Sequence, residues 1–194
     1  MANQTDVVLL DEPETSLHPR WQKEIVSLIE SMLEAGGMTP QIFLATHSEK
    51  VLQSLIGRDD ALIVRLFKED GLVKNETINQ MQLLLRKPTF AELDYVIFKI
   101  DSYEYCNELF DLLEWRYNVS GDRGVDRNIQ RSEYYNKEKH YKEWFNDKFN
   151  EVTCYTLPVY VRNYFHHPKD KIEPTAQELH EAIELLRNVV LNLK

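Results

Sequence analysis

No stretch of this chain approaches the roughly 18 consecutive apolar residues that a membrane-spanning helix requires. No charged, apolar, small-residue leader opens it either, so neither a span nor a signal peptide is expected. Cysteine is scarce. Cys106 and Cys154 fit no metal-binding or redox spacing and are expected as reduced thiols, which also makes the Asn-x-Ser/Thr triplets at Asn75 and Asn118 incidental. Internal repeats, low-complexity tracts and long coiled-coil heptads are absent. A membrane protein and a disulfide-stapled secreted scaffold are thereby set aside. A folded cytoplasmic chain of 194 residues with an ordinary 43% hydrophobic content is expected.

The net charge of −9 is unevenly spread. Residues 1–115 carry 10 Lys/Arg against 20 Asp/Glu, net −10, whereas residues 116–194 carry 13 against 12, net +1. An acidic chain does not attract polyanions over its whole surface, so any nucleic-acid contact has to be local. The second half is the better place for one. Arg116 to Lys148 holds eight cations interleaved with Trp115, Tyr117, Tyr134, Tyr135, Tyr141 and Trp144, a mixture that suits phosphates and stacked bases. A solvated helical surface with core aromatics explains the same pattern.

The most informative segment is Val7-Val8-Leu9-Leu10-Asp11-Glu12-Pro13. Four apolar residues ending in two acids read as a buried parallel strand with charge at its carboxyl tip, where open α/β sheets gather their ligand-binding groups. A second such strand, Gln41 to Ala45, runs into Thr46-His47-Ser48. Two adjacent carboxylates at one tip and a neutral hydrogen-bond donor at the next suit phosphoryl chemistry.

VVLLDEPETSLHP resembles the Walker B and D-loop segment of ABC-type ATPase heads, the class that includes SMC proteins and the overcoming-lysogenization and Septu-type defence ATPases. ATHS resembles their H-loop. The resemblance implies ATP and Mg²⁺ as cofactors. It makes Asp11 the Walker B aspartate holding Mg²⁺ through water, Glu12 the catalytic glutamate that orients the attacking water, and His47 the switch histidine at the γ-phosphate. Ser16, Leu17 and His18 fall in the D-loop, which crosses to a partner head. What is missing matters equally. No GxxxxGK(S/T) loop and no LSGGQ-like segment occurs, and both lie upstream of Walker B in that class. The chain is therefore expected to need an N-terminal ATPase half with Walker A, to pair its heads as a homodimer or higher oligomer, and not to hydrolyse ATP alone.

The expected fold class is α/β followed by all-α. Residues 1–85 form the distal lobe of a RecA-like ABC ATPase head, and residues 86–194 a helical bundle. Strand–helix–strand alternation over the first lobe implies parallel pairing. Pro19 opens a helix carrying Ile25, Leu28, Ile29 and Met32, and Gly36-Gly37 closes it. Ser48 caps a short helix through Ile56. Ala61 to Phe67 form a third strand, and Gly71 turns it into Leu72 to Ile78. From Pro88 the period becomes helical and stays so, with helices marked by Tyr105, Leu109, Leu112 and Leu113, then by Tyr141, Trp144, Phe145 and Phe149. The polar stretch from Ser120 to Asn136 is expected as a mobile loop. Thr175 to Glu178 form a capping box before a final amphipathic helix.

Within that second half, Arg162-Asn163-Tyr164-Phe165-His166-His167-Pro168 resembles the R-x4-H motif of HEPN ribonucleases, with Arg162 and His167 as the pair. That resemblance implies RNA cleavage in a paired helical bundle. A histidine moves a proton near neutral pH, and an arginine stabilises a crowded phosphorane without titrating. His166 offers the alternative R-x3-H, and Glu92 a distant acidic candidate. The whole arrangement resembles ATPase effectors of phage defence, in which ATP state gates cleavage of RNA or DNA. Two alternatives remain open: a non-catalytic helical scaffold that docks a partner nuclease, and a fragment of an SMC-like DNA-maintenance ATPase.

Overall fold

A computed structural model describes residues 7–78, 81–168 and 171–193. The chain divides into two compact units, the first of residues 1–82 with 88–93 and the second of residues 83–87 with 94–194. Among the described residues no helix is long and apolar enough to cross a membrane.

The first unit is built on a parallel pair. Strand β1 (Val7–Asp11) lies beside β2 (Gln41–Ala45), with Val7 opposite Gln41 and Asp11 opposite Ala45. The crossover between them carries α1 (Pro19–Gln22) and α2 (Ile25–Ala35). Proline starts α1, where its missing N–H costs nothing, and His18 Nδ1 accepts the Arg20 N–H at 3.2 Å. The single helix expected from Pro19 is thus interrupted at Lys23–Glu24 before α2 begins. The end of α2 is a Schellman turn. Gly37, at φ +73°, donates its N–H to Glu34 O, and Met38 N donates to Leu33 O, both at 2.9 Å. After β2 comes α3 (Glu49–Leu55), then the antiparallel hairpin of β3 (Val64–Glu69) and β4 (Leu72–Thr77), then α4 (Phe90–Leu93). Strand β3 starts three residues later than Ala61. Arg58 makes a bidentate pair with Glu30 of α2, at 2.7 and 3.1 Å, and also bonds Asp60. Val26, Val51, Leu52, Ile63, Met81 and Leu93 are the buried apolar residues of this unit.

The second unit opens with a π-helical turn (Asp94–Phe98) and is dominated by α5 (Tyr103–Tyr117), α8 (Leu157–His166) and α9 (Ala176–Leu191), which pack on one another. Between α5 and α8 lie α6 (Asp122–Arg131), α7 (Lys137–His140) and a hairpin of β5 (Tyr141–Asn146) with β6 (Glu151–Thr156). This corrects two expectations. The Tyr141–Phe149 segment is not a helix. Its two-residue alternation sets Tyr141 and Phe145 outward while Trp144 is buried opposite Cys154, and Asn150, at φ +51°, ends the turn. The Ser120–Asn136 stretch is not a loop throughout, because Val125 and Ile129, four apart on α6, are both fully buried. The unit is therefore mixed helix and hairpin rather than an all-helical bundle.

Asp126 on α6 fastens the hairpin to α8. Its Oδ1 accepts the N–H groups of Tyr155 (3.1 Å) and Thr156 (2.9 Å) and the Thr156 hydroxyl (2.8 Å), so one buried carboxylate satisfies the backbone where α8 begins. At the other end, Thr175 and Glu178 form the reciprocal capping box of α9. Cys106 and Cys154 are buried and unpaired, and burial pushes both thiols up to about 12, which leaves them unreactive.

Candidate phosphoryl-transfer site and a second polar cluster

The carboxyl ends of β1 and β2 bring together the residues singled out in the sequence. Asp11 is the last residue of β1, and its exposed carboxylate has no hydrogen-bond partner among the described residues. Glu12 prolongs the ladder by donating its N–H to Ala45 O at 2.9 Å, then turns sharply at φ +43°. A non-glycine residue in this left-handed region costs on the order of 1 kcal/mol and is held there by its surroundings. The holding contacts are explicit. Thr15 Oγ1 donates to Glu12 Oε2 at 3.2 Å, Thr15 N donates to Glu12 O at 3.0 Å, and His47 Nε2 lies 3.3 Å from Glu12 Oε1. His47 arrives from the end of the neighbouring strand with its side chain 85% exposed. Ser16 and His18 are exposed, Leu17 is half-buried, and Ser16 is also left-handed at φ +70°.

The donor set suits a magnesium ion held from one side only. Among the described residues no group of three or more His, Cys, Asp or Glu could hold a metal by itself. Mg²⁺ binds through one or two carboxylates with waters and substrate phosphates completing its shell. The exposed, unpartnered Asp11 fits such a role, with Glu12 beside it. Glu14 was not singled out in the sequence for a role of its own. It is 5% exposed, its Oε1 accepts the Thr46 hydroxyl, and its Oε2 has no partner among the described residues. Only burial distinguishes it from the exposed acids around it, and sequence spacing did not carry that signal.

The same sheet leaves one face open. Val7 (55%), Leu9 (75%) and Phe43 (52%) stand on one side of the paired strands, exposed, while Val8, Leu10, Ile42 and Leu44 on the other side are half-buried. Parallel strands are ordinarily covered on both faces, and among the described residues nothing covers this one.

In the second unit, Arg162 of α8 bonds Asp122 Oδ1 at 2.9 Å and Asn163 Oδ1 at 3.3 Å, and its guanidinium lies 4.8 Å from the Phe110 ring centroid. Among the described residues its Nε and the Asn163 Nδ2 are buried without partners. One turn further, at the helix end, His166 Nε2 lies 2.9 Å from Asn107 Oδ1, whose amide Nδ2 approaches Asp111 Oδ2 at 3.4 Å. Burial, then the Arg162 and His167 charges, hold the His166 imidazole below its usual value. Burial raises the Asp111 carboxyl, with Arg162 opposing. His167 sits just past the helix, where its N–H donates to Asn163 O at 2.8 Å and its side chain is exposed. The α8 periodicity therefore gathers Arg162 and His166 around α5 groups, while His167 lies beyond the helix end. Asn107 and Asp111 were not anticipated, because α5 read only as a core helix. Glu92 belongs to the first unit and is buried there.

Residues 1–53 match a family model described as "AAA domain, putative AbiEii toxin, Type IV TA system". The chain is 34% identical over 79 residues to the "DNA double-strand break repair Rad50 ATPase" of Sulfurisphaera tokodaii, covering 41% of this chain and 8% of that one. It is 33% identical over 91 residues to a "Putative ABC transporter ATP-binding protein" of Methanosarcina acetivorans, covering 44% of this chain and 30% of that one. The match thus spans less than a third of either relative's length. These similarities, together with the Asp11–Glu12 and His47 strand tips, support an ATPase of the ABC/SMC-like class.

Proposed function

We propose that the first unit is the Walker B, D-loop and H-loop portion of an ABC-type ATPase, and that its ATP state gates an attack on nucleic acid in antiviral defence. The observation that carries the ATPase reading is the Glu12–His47 pair at the tips of two parallel strands, 3.3 Å apart, with the Asp11 carboxylate beside it unpartnered among the described residues. Asp11 would hold a hydrated Mg²⁺, Glu12 would orient the attacking water, and His47 would contact the γ-phosphate. The phosphate-cradling loop comes from the N-terminal ATPase half, which covers the open face at Val7, Leu9 and Phe43. The D-loop at Ser16, Leu17 and His18 reaches a second head, so the working assembly is a dimer or larger.

The second unit supplies the output. The cluster of Arg162, Asn163 and His166, with Asn107 and Asp111, supports phosphodiester cleavage. A neutral imidazole takes a proton and the arginine stabilises charge on phosphorus. In the R-x4-H pattern His167 takes the histidine role, and in R-x3-H His166 does. One cluster offers a single histidine of the type needed, so two copies facing each other complete an acid–base pair. The rival reading is a docking module for a partner nuclease.

Isothermal calorimetry on the isolated chain tests the half-site directly. Without a phosphate loop it binds ATP weakly, and micromolar affinity would overturn the division of the site. Supplied with the complementary half, the assembly hydrolyses ATP. No turnover in any pairing with a Walker A half would remove the ATPase reading.

A further inference from the structure

His47 is aimed by its backbone. Its imidazole is 85% exposed and meets only the Glu12 carboxylate among the described residues, so no packing of the ring itself fixes where it points. The residues on either side of it, by contrast, are tied down. Thr46 Oγ1 donates to Glu14 Oε1 and accepts the Ser48 N–H at 3.0 Å. Ser48 Oγ donates to Gln22 Oε1 at 3.3 Å, and Gln22 Nε2 donates to Leu17 O at 3.3 Å. Leu17 N donates to Glu14 O at 3.0 Å, which returns the chain of bonds to its start.

We infer that Glu14 is a positioning residue for His47, acting through this closed circuit of hydrogen bonds, which joins the loop after β1 to the loop after β2 by way of α1. Three features carry the inference. The circuit is closed, so displacing the 14–17 loop moves both anchors of His47 together. Glu14 is buried, yet one of its two oxygens is unused among the described residues, an expensive arrangement that a core polar group retains only for a reason. Glu12 and Ser16, on either side of Glu14, are both in the left-handed region, so this short loop has little freedom to settle elsewhere. The exposed Thr15–Ser16 tip is then an input, and the direction of the His47 ring the output.

The positioning stands on geometry alone. Only its consequence for turnover rests on the ATPase reading, and the experiment separates the two. With histidines labelled at the ring carbon, the His47 signal in the full chain is assigned by His47→Gln. Thr46→Val removes the hydroxyl but keeps the shape, and it shifts the His47 signal. Ser48→Ala, which cuts the circuit at a half-buried position without burying an unpaired charge, does the same. Thr46→Ser and Glu14→Gln, which keep the hydroxyl and an acceptor oxygen, restore the wild-type signal. An unchanged His47 signal in Thr46→Val or Ser48→Ala overturns the inference, and so does a Thr46→Ser shift as large as that of Thr46→Val. Should Thr46→Val fail to fold, Ser48→Ala decides. In the assembly with the complementary half, Thr46→Val lowers kcat roughly ten- to a hundredfold with KM for ATP unchanged, the scale on which a misplaced group acts. A shifted His47 signal in an assembly whose wild type has no turnover removes the ATPase reading and leaves the positioning intact.

Discussion

His47 Nε2 and Glu12 Oε1 meet at 3.3 Å although they belong to different strands, and the contact exists because the register of β1 on β2 sets Asp11 opposite Ala45. A one-residue slip would turn every side chain of β1 to the opposite face and carry Glu12 away from the histidine. The site is therefore a product of strand pairing, and neither loop creates it alone.

That origin separates catalysis from stability. Glu12 and His47 are exposed, so Glu12→Gln and His47→Ala change the thermal stability of the chain by no more than about 0.5 kcal/mol. If the pair hydrolyses ATP as proposed, then in the assembly containing the Walker A half each lowers turnover by roughly 10²-fold or more, because a positioned water loses its base or the γ-phosphate its donor. Glu12→Gln retains ATP binding and accumulates ATP-bound paired heads. Phosphate release and size-exclusion profiles with ATP check both halves of this expectation.

The open face of the β1–β2 pair makes a separate prediction. Leu9 is 75% exposed, so Leu9→Lys leaves the folded chain near its wild-type stability. If that face seats the N-terminal ATPase half, the same substitution buries an unpaired ammonium group and abolishes co-purification of the two. Thermal melts and pull-down with the complementary half give the two readings. Undiminished association of Leu9→Lys places the contact elsewhere.

How much of this was legible beforehand depended on the range of the interactions involved. The Asp11–Glu12 tip, the Gly36–Gly37 stop and the Thr175–Glu178 cap are each set within a few residues, and sequence carries such signals directly. The β5–β6 hairpin was not legible. Tyr141, Trp144, Phe145 and Phe149 satisfy a helical spacing as well as a strand's, and what decides is the pairing of Trp144 with Cys154 from across the turn. Helix α6 was hidden because Asp122, Arg123, Asp126, Arg127 and Arg131 look solvated, whereas Asp126 is 2% exposed and bonds the start of α8. Glu14 shows the same limit at the site. Its role rests on Thr46, a residue 32 positions away.

The polar cluster on α8 yields a test that distinguishes its two histidines. If it cleaves phosphodiesters, His166→Ala and Arg162→Ala each remove RNA or DNA cleavage by the complete system while ATP turnover is unchanged. His167→Ala has the smaller effect, since that side chain lies beyond the helix end. Asp111→Asn shifts the acid side of the pH profile, because burial raises the Asp111 carboxyl while burial and Arg162 hold His166 low. Cleavage that survives both Arg162→Ala and His166→Ala assigns the second unit to docking.

The last prediction concerns acid stability at the start of α9. Glu178 Oε2 accepts the Thr175 N–H at 2.8 Å, Thr175 Oγ1 accepts the Glu178 N–H at 3.2 Å, and the other carboxylate oxygen takes the Lys142 ammonium of β5. Burial raises this carboxyl, but the bonds from Lys142 and Thr175 outweigh it, and the group ends below its ordinary value of 4.5. A carboxylate whose folded value is depressed stabilises the native state fully above its unfolded value and loses that contribution as pH falls through the folded one. The Lys142–Glu178 contribution is therefore present near neutrality, begins to fade below 4.5, and is gone once the folded carboxyl is protonated. Glu178→Gln keeps the reciprocal cap but not the charge, so it is less stable than wild type near neutral pH and equal to it in acid. Thr175→Ala removes the cap itself and costs about 1 kcal/mol at every pH. Hydrogen exchange of the first turn of α9, followed from neutral pH downward in the three proteins, reads both effects. A Glu178→Gln deficit that persists unchanged into acid would show that the ion pair contributes nothing and that the cap alone holds this end of the helix.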